Sequence, residues 1–354
     1  MGRIGSPVAA NSQIAARRGW ACWHSSGQAL VVVRYALGQV LKCLSLIVAV
    51  SALTFFLAKI SPIDPVDAYF GSESQASPEQ EAALAAKWGL DQPPLVQFGL
   101  WWKNLLHGDL GTSLMLERPV LAVIGDGLAN SALLMFSAWL ISGALGAVLG
   151  IVAGKNEDRW IDRVISGICY VFAAIPTFWF GMVMLLVFAV WLGWFPVGLS
   201  VPIGTTLADA TLGERIYHAA LPALTLSLLG ISTITMQTRV RLINERHSDY
   251  ALFATSRGET AWQFVWRHGL RNALMPFVTL QFGSISEIIG GSVLAESVFS
   301  YAGMGGITAM AGIKGDLPLL IGITLISSTI VFLGNLIANL LYPVIDPRIK
   351  EKWS

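Results

Sequence analysis

The chain has 354 residues, of which 54% are hydrophobic and 13% are charged, and its formal net charge is +1. A soluble globule of this length exposes much of its surface to water, so its core cannot hold this many apolar side chains. The composition therefore predicts an all-α integral membrane protein, and the balanced charge argues against nucleic-acid binding. Cys22, Cys43 and Cys169 are widely spaced, which argues against a disulfide framework or a zinc site.

Six apolar runs are long enough to cross a hydrocarbon core of about 30 Å, which takes about 20 helical residues. They cover approximately residues 40–60, 130–154, 164–194, 219–236, 273–296 and 317–343. The third run contains Pro176, which breaks or kinks a helix, so it forms either one kinked span or two short ones.

The charge distribution favours one kinked span. Residues 1–39 carry four arginines and no acid, which places them in the cytoplasm, whereas residues 61–129 carry nine acids and three bases. With one passage of the third run, the arginine-rich loop 237–272 returns to the cytoplasm, and both termini lie inside. The expected parts are a cytoplasmic extension (1–39), a first span (40–60), an external cap (61–129), a transmembrane core (130–343) and a cytoplasmic tail (344–354).

The cap contains two predicted helices. The stretch "SPEQEAALAAKWGL" predicts a helix that begins at Ser77 and Pro78 and ends at Gly89. A second helix is expected over residues 95–106, ended by Gly108.

The arginine-rich loop predicts an amphipathic helix. Apolar or small residues recur on one helix face from Tyr250 to Leu270, with a break or bend near Gly258. One interpretation is an interfacial helix whose arginines meet anionic lipid headgroups. The other is a docking surface whose apolar side chains fill a groove on a soluble partner. The helical spacing alone does not separate the two.

Several short motifs stand in a fixed order along the chain. They are "DPV" at 64–66, "GLDQPPLVQF" at 89–98, "GDLGTSL" at 108–114, "GGSVLAESVF" at 290–299 and "DPR" at 346–348. In these motifs, and in "RHGLRNALMP", the chain resembles the permeases of binding-protein-dependent ABC importers, in their dipeptide, oligopeptide and nickel branch. The resemblance covers about residues 34–348. Ile63 and Ala302 depart from it, because glycine and proline are usual there.

The family's cytoplasmic loop pattern is EAA, three residues, Gly, nine residues, a hydrophobic residue, any residue and LP. The positions of this pattern are held here by Leu252, Phe253, Ala254, Gly258, His268, Leu270 and Arg271. The first half of the pattern is therefore weak, although Ala254, Gly258 and Leu270 are retained.

The resemblance implies a type I ABC importer permease fold of about six transmembrane helices, with a small helical periplasmic cap between the first two. It implies a multi-pass protein of a prokaryotic inner membrane that transports short peptides or nickel-like chelates and is not an enzyme. The expected partners are a homologous second permease, two ATP-binding subunits, an extracytoplasmic solute-binding protein and membrane lipid. ATP and Mg would bind the ATPases, and this chain would hold no cofactor and no metal.

The resemblance also implies residue roles. Gly258 would permit a tight turn in the helix that docks on the ATPase, and Ala254 a close approach beside it; the alternative for Gly258 is an ordinary helix end. His268, Arg271 and Asn272 would anchor the return into the fifth span or contact lipid headgroups.

Glu287 is an ionisable residue well inside the fifth span. It would lie on the translocation path and attract a cationic group of the substrate, or hydrogen-bond across the bundle or to the partner permease. From the residues alone, an ion-coupled secondary transporter and a membrane receptor or scaffold stay open as alternative functions.

Overall fold

The computed structural model describes residues 37–62, 64–70, 77–207 and 209–345, and of residues 65, 68, 87, 261, 270–276 and 340–345 it describes only the backbone. These residues form helices and no strand. Most of the predicted N-terminal extension and tail lies outside the described residues.

The first helix and the predicted cap come first in the chain. Helix α1 covers Leu37–Ile60, and the cap contains α2 (Pro65–Phe70), α3 (Pro78–Lys87) and α4 (Pro94–Leu106). Helix α3 begins as predicted, because the Ser77 hydroxyl accepts a hydrogen bond from the Gln80 backbone and the Gln80 side chain accepts one from the Ser77 backbone. Phe98 of α4 packs against Phe55 of α1 with ring centroids 5.2 Å apart, so the cap rests on the end of the first helix.

The remaining helices form the bundle. They are α5 (Val120–Lys155), α6 (Trp160–Ala174), α7 (Thr177–Met184, continued by a π-helix over Leu185–Trp191), α8 (Leu212–Arg246), α9 (Asp249–Ser256), α10 (Ala261–Phe264, continued by a π-helix over Val265–Gly269), α11 (Leu270–Gly283), α12 (Ile285–Val298), α13 (Met304–Ile313) and α14 (Leu317–Ile345). Four helices, α1, α5, α8 and α14, are long and apolar enough to cross a membrane, and the described residues supply up to six spans if each of two bent helix pairs counts as one. The architecture therefore agrees with the predicted six-span fold.

Helix α5 begins at Val120, ten residues before the predicted second span, so residues 120–129 of the predicted cap are helical and continuous with that span. Val120, Val123 and Ile124 are buried against residues of α13 and α14 such as Met304 and Leu319. This packing explains why residues 120–129 are part of the helix although they are less apolar than the residues that follow them.

Both bent pairs have a local cause. Helices α6 and α7 meet at 106° where Pro176 interrupts the hydrogen-bond ladder, as the sequence predicts. Helices α11 and α12 meet at 41° beside Ser284, whose hydroxyl donates to the Gln281 carbonyl 2.8 Å away. Serine hydroxyls that bond back to a helix carbonyl can bend the helix, and this second break was not predicted.

Helices α5 and α8 form the centre of the bundle. Three glycines of α5, Gly146, Gly150 and Gly154, face α8, and a Cβ added to them would lie only 2.6–3.0 Å from its atoms. The partners are Ile234, Thr238 and Arg239 in turn. Because the partner numbers rise along both helices, the two helices run parallel. Small residues let helix backbones approach this closely, and we call this contact the glycine seam.

Contacts with the two ends of α8 indicate whether the third apolar run crosses the bundle once or twice. Asp162, near the start of α6, contacts Arg239 in the last turns of α8. The Trp194 carbonyl, just after α7, accepts a hydrogen bond of 2.8 Å from Tyr217 in the first turns of α8. Residues 160–194 thus lead from one end of α8 to the other, which is the path of one broken passage.

Two buried carboxylates connect the short helix α13 to α5 and to the segment that precedes α5. Glu296 of α12 accepts hydrogen bonds of 2.6 Å from the Ser131 hydroxyl and from the Gly305 backbone N–H. Asp316, which follows α13, accepts one of 2.6 Å from the Ser113 hydroxyl. Helix α13 is therefore fastened near both ends.

Candidate functional site

The predicted loop helix is two short helices joined by a tight turn, which we call the coupling hairpin (residues 249–269). Helix α9 ends at Ser256, and Gly258 follows in the left-handed region with φ +86°. The Gly258 N–H donates to the Thr255 carbonyl at 2.9 Å, and the Glu259 N–H donates to the Ala254 carbonyl at 3.2 Å. This pattern closes a helix C-terminus around a glycine. Gly258 therefore lies in a tight turn between the two helices, at a φ that glycine adopts without steric cost. Its role in docking stays a prediction.

The interior of the coupling hairpin is small and apolar. Ala251, Ala254 and Phe264 are buried against one another, and Ala254 is only 5% exposed. A larger side chain at Ala254 would push α9 away from α10. Ala254 therefore packs inside the hairpin, and the role that the resemblance implies for it in docking stays a prediction.

The outer surface of the coupling hairpin carries large exposed apolar side chains. Leu252 and Phe253 are 67% and 65% exposed, and Trp262 and Trp266 are also exposed and stack with centroids 6.3 Å apart. We call these four residues the apolar patch. Large apolar side chains that are exposed in this way favour contact with protein or lipid.

The coupling hairpin is anchored to the ends of α5 and α8. Val265 and Leu242 are fully buried together, with Ile151 of α5 packed against them. The Lys155 ammonium at the end of α5 lies 3.9 Å from the centroid of the Trp262 ring, a distance typical of a cation–π contact. Because Val265 begins the π-helix, this anchor coincides with an irregular turn of the kind often found at functional sites.

His268 does not fill a hydrophobic position as the family pattern would have it. Its Nε2 lies 3.3 Å from a Glu259 carboxylate oxygen, and Arg267 Nη1 lies 3.6 Å from the other. Glu259 was not singled out from the sequence, although it follows the turn glycine directly. Leu270, Arg271 and Asn272 begin α11 with helical backbone, and their side chains lie outside the described residues.

Two of the loop's arginines face the bundle interior. Arg239 pairs with the buried carboxylate of Asp162, and Arg246 Nη1 donates to the Gly154 and Lys155 carbonyls at 3.0 Å each. Sequence reasoning missed Asp162, although an acid within the apolar run of α6 was a usable signal.

Glu287 lies in the first turn of α12 and is exposed on this chain. It lines a small cavity with the hydroxyl-bearing residues Ser142, Thr177 and Ser284. Among the described residues it has no hydrogen-bond or ion-pair partner, so a bond across this chain's own bundle is not seen. The buried carboxylate of α12 is Glu296, which the sequence reading passed over.

Metal-ligand geometry is missing from the part of the chain that the structure describes, because no three His, Cys, Asp or Glu side chains come together there. The candidate site consists of the exposed surface of the coupling hairpin, and Glu287 lies in a separate cavity.

Comparisons with known proteins agree with this arrangement. Residues 146–351, more than half of the chain, match the family of binding-protein-dependent transport system inner membrane components. An oligopeptide transport system permease protein of Bacillus subtilis is 33% identical over 89% of this chain and 99% of its own length. A dipeptide transport system permease protein of Alkalihalophilus pseudofirmus is 31% identical over 90% of this chain and 100% of its own length.

A solved structure shares the fold. The MetNI methionine ABC transporter, solved in inward-facing conformations, has a chain that superposes with a TM-score of 0.51 at 17% identity, covering 64% of this chain and 97% of that one. The family match and the relatives together assign the function of the subunit. The chain belongs to the binding-protein-dependent transport system inner membrane components, as an ABC importer permease of the peptide branch, which is not itself an enzyme because ATPase activity lies in separate subunits.

Proposed function

We propose that this permease forms half of the translocation path of an ATP-driven importer of short peptides. The observation that carries the proposal is the coupling hairpin, which carries the apolar patch and packs against one end of α5 and α8. A groove on an ATPase subunit would take Leu252 and Phe253, and Gly258 would hold the turn between the two helices. Closure of the ATPases around ATP and Mg then moves the hairpin, because the nucleotide binds the closed state more tightly.

The patch is better suited to a protein groove than to lipid. The Arg257 guanidinium lies 5.9 Å from the centroid of the exposed Phe253 ring, where it would fix the register on a protein partner. One chain of up to six spans supplies half a path, so a homologous second permease completes it and a second ATPase serves that subunit. An extracytoplasmic binding protein delivers the substrate on the cap side.

Short peptides are favoured as the substrate over nickel or another chelated metal. The relatives compared above are named as oligopeptide and dipeptide permeases. Family membership favours neither the ion-coupled secondary transporter nor the receptor or scaffold that the residues alone left open.

Uptake into proteoliposomes tests the proposed function. The permease is reconstituted with its partner permease and ATPases, with ATP and Mg inside, and the binding protein and a labelled tripeptide are added outside. We expect accumulation with ATP, none with ADP, and none with a proton or sodium gradient alone. Uptake of the peptide without nucleotide, or of nickel ions in place of the peptide, would overturn the assignment.

We also place Glu287 on the path, where its carboxylate attracts the ammonium group of the peptide. Its exposure and its cavity of hydroxyl-bearing neighbours support this role. Glu287→Gln should slow import of a peptide with a free amino terminus by about tenfold, the loss expected when a charge-assisted contact of about 1.5 kcal/mol is removed.

The control for Glu287→Gln is an N-acetylated peptide that the same binding protein delivers, whose import should not change. Ser286→Ala, one residue earlier and also exposed, should leave both peptides unaffected. Equal slowing of both peptides by Glu287→Gln would exclude recognition of the amino terminus.

A further inference from the structure

The corner between α5 and α6 holds a buried ion pair that docking and substrate recognition do not use. Arg239 Nε lies 2.5 Å from Asp162 Oδ1, and Arg239 Nη2 lies 2.7 Å from Asp162 Oδ2. The Asp158 N–H and the Ser166 hydroxyl donate to the same carboxylate at 3.1 and 3.2 Å. The Asp162 side chain is 3% exposed, so four donors surround a carboxylate that water barely reaches.

This geometry fixes direction as well as distance. A guanidinium and a carboxylate that meet through two parallel hydrogen bonds hold their two backbones at one angle, which a lysine ammonium does not do. Replacing a buried ion pair by packed apolar residues often costs no stability, so stability alone does not account for such a pair. The pair sets the position of α6 relative to α8.

The same face of α8 also holds the coupling hairpin. Arg239, Leu242 and Arg246 follow one another at helical spacing, so they lie on one side of α8. Leu242 packs against Val265 of the hairpin, and Arg246 binds the last carbonyls of α5. These contacts, which follow one another along α8, join the hairpin to the α5–α6 corner.

The break at Pro176 separates α7 from α6, so a movement of the α5–α6 corner that carries α6 with it need not carry α7. Helix α7 turns away at 106° and packs elsewhere, since a Cβ at Gly181 would lie 3.1 Å from Thr225 in the first half of α8. Helix α6 thus belongs with the hairpin end of the bundle, and α7 with the opposite end.

We propose that Asp162 and Arg239 are a positioning pair that makes α6 move as one body with the coupling hairpin when ATP closes the ATPases. The inference rests on the proposed docking of the hairpin. It predicts that the angle between α6 and α8 stays constant through the transport cycle, and that the bundle bends at the Pro176 break.

Coupling measurements on the assembled transporter test the pair. Asp162→Asn leaves Arg239 without its counter-charge, and the number of peptides imported per ATP hydrolysed should fall by about tenfold, a typical size for the loss of one coupling contact. Arg239→Lys keeps the charge but loses the paired hydrogen bonds, so it should lower the same ratio to a lesser degree. The double exchange Asp162→Arg with Arg239→Asp should restore part of it.

The matched control is the exposed ion pair of Arg118 and Asp126, also 2.8 Å or less apart but remote from the hairpin. Arg118→Lys should leave the ratio unchanged. A wild-type ratio in assembled Asp162→Asn would overturn the proposal. The proposal would also be overturned if the melting temperature fell in parallel with the ratio in every variant and the double exchange restored neither. The pair would then only stabilise the fold.

A distance measurement keeps the proposal testable if Asp162→Asn does not assemble. Spin labels on cysteines at the exposed positions Arg163 and Arg241, with the native cysteines replaced, report the spacing of α6 and α8. In the otherwise unchanged transporter this distance should be the same with and without ATP, and a nucleotide-dependent change would refute the inference. If the unaltered transporter imports no peptide with ATP, the proposed function fails instead, independently of this distance.

Discussion

At the scale of single residues, Gly258 is a position where the backbone conformation strongly favours glycine. Its φ of +86° excludes most side chains on conformational grounds, whereas a Cβ there would meet no atom within 4 Å. The requirement for glycine therefore comes from the turn itself and not from crowding. Substitutions at this position therefore change the backbone conformation of the hairpin without a steric clash against neighbouring residues.

Gly258→Val should uncouple the transporter. A β-branched residue in the left-handed region costs about 1–2 kcal/mol, which opens the turn between α9 and α10. We expect ATP hydrolysis to continue while peptide uptake falls, with the protein still in the membrane. Both rates are measured in the same proteoliposomes.

Two variants control for the Gly258 substitution. Asn tolerates positive φ better than other residues with a side chain, so Gly258→Asn should retain most uptake. Gly213→Val adds the same side chain at an open helical position and should have little effect. Normal uptake in Gly258→Val would mean that the glycine is an ordinary helix end.

At the scale of elements, the sequence predicted most helices and one of the two breaks, and it missed the other break and the early start of α5. Apolar length predicted the spans, and the Ser77 cap and Pro176 predicted a start and a break, because these signals are local. The bend at Ser284 and the early start of α5 depend on tertiary contacts, namely a hydroxyl bond to Gln281 and the burial of Val120. No single-sequence signal reports such contacts.

The candidate site also combines features that the sequence predicted with features that it did not. A break near Gly258 followed from residue type and spacing, whereas the role of Ala254 was implied only by the family resemblance. The partners of the charged residues were not predicted, since Asp162 and Arg239 are 77 residues apart in the chain. Long-range pairs of this kind require the fold before they can be recognised.

The glycine seam gives a prediction at this scale. A Cβ at Gly150 would lie 2.6 Å from the Thr238 Cβ and 2.7 Å from the Thr235 carbonyl oxygen, so Gly150→Ala forces α5 and α8 apart. Overpacking of this kind costs about 1–3 kcal/mol. We expect a lower midpoint of thermal unfolding in nanodiscs.

Gly125→Ala is the matched control for the seam. Gly125 lies in the same helix, and a Cβ there would meet no atom within 4 Å. This variant should be at least as stable as the unaltered protein, because alanine favours the helix. Equal midpoints for the two alanine variants would contradict the close contact.

At the scale of the whole molecule, the two ends of the bundle have different tasks in the proposed importer. The coupling hairpin and the Lys155 end of α5 lie at one end, and the cap and the start of α5 belong to the other. The charge distribution assigns the hairpin end to the cytoplasm, and both termini with it. This orientation remains a prediction that labelling decides.

Single cysteines at exposed Ser256 and Gln92, in a variant without native cysteines, test the orientation. In intact spheroplasts a membrane-impermeant maleimide should label Gln92→Cys in the cap, because that side faces the medium. Ser256→Cys in the hairpin should react only after the membrane is opened. The reverse pattern would place the hairpin outside and remove the basis for docking on an ATPase.

The glycine seam has a consequence for biosynthesis. It joins segments that are far apart in the chain, as the hydrogen bond from Thr235 to Gly146 across 89 residues shows. During translation, α5 therefore enters the bilayer long before its main partner has left the ribosome. Until α8 arrives, the glycine face of α5 has only lipid or the insertion machinery to contact. We expect this nascent intermediate, not the finished bundle, to be the stage at which the chain is most open to quality-control proteases.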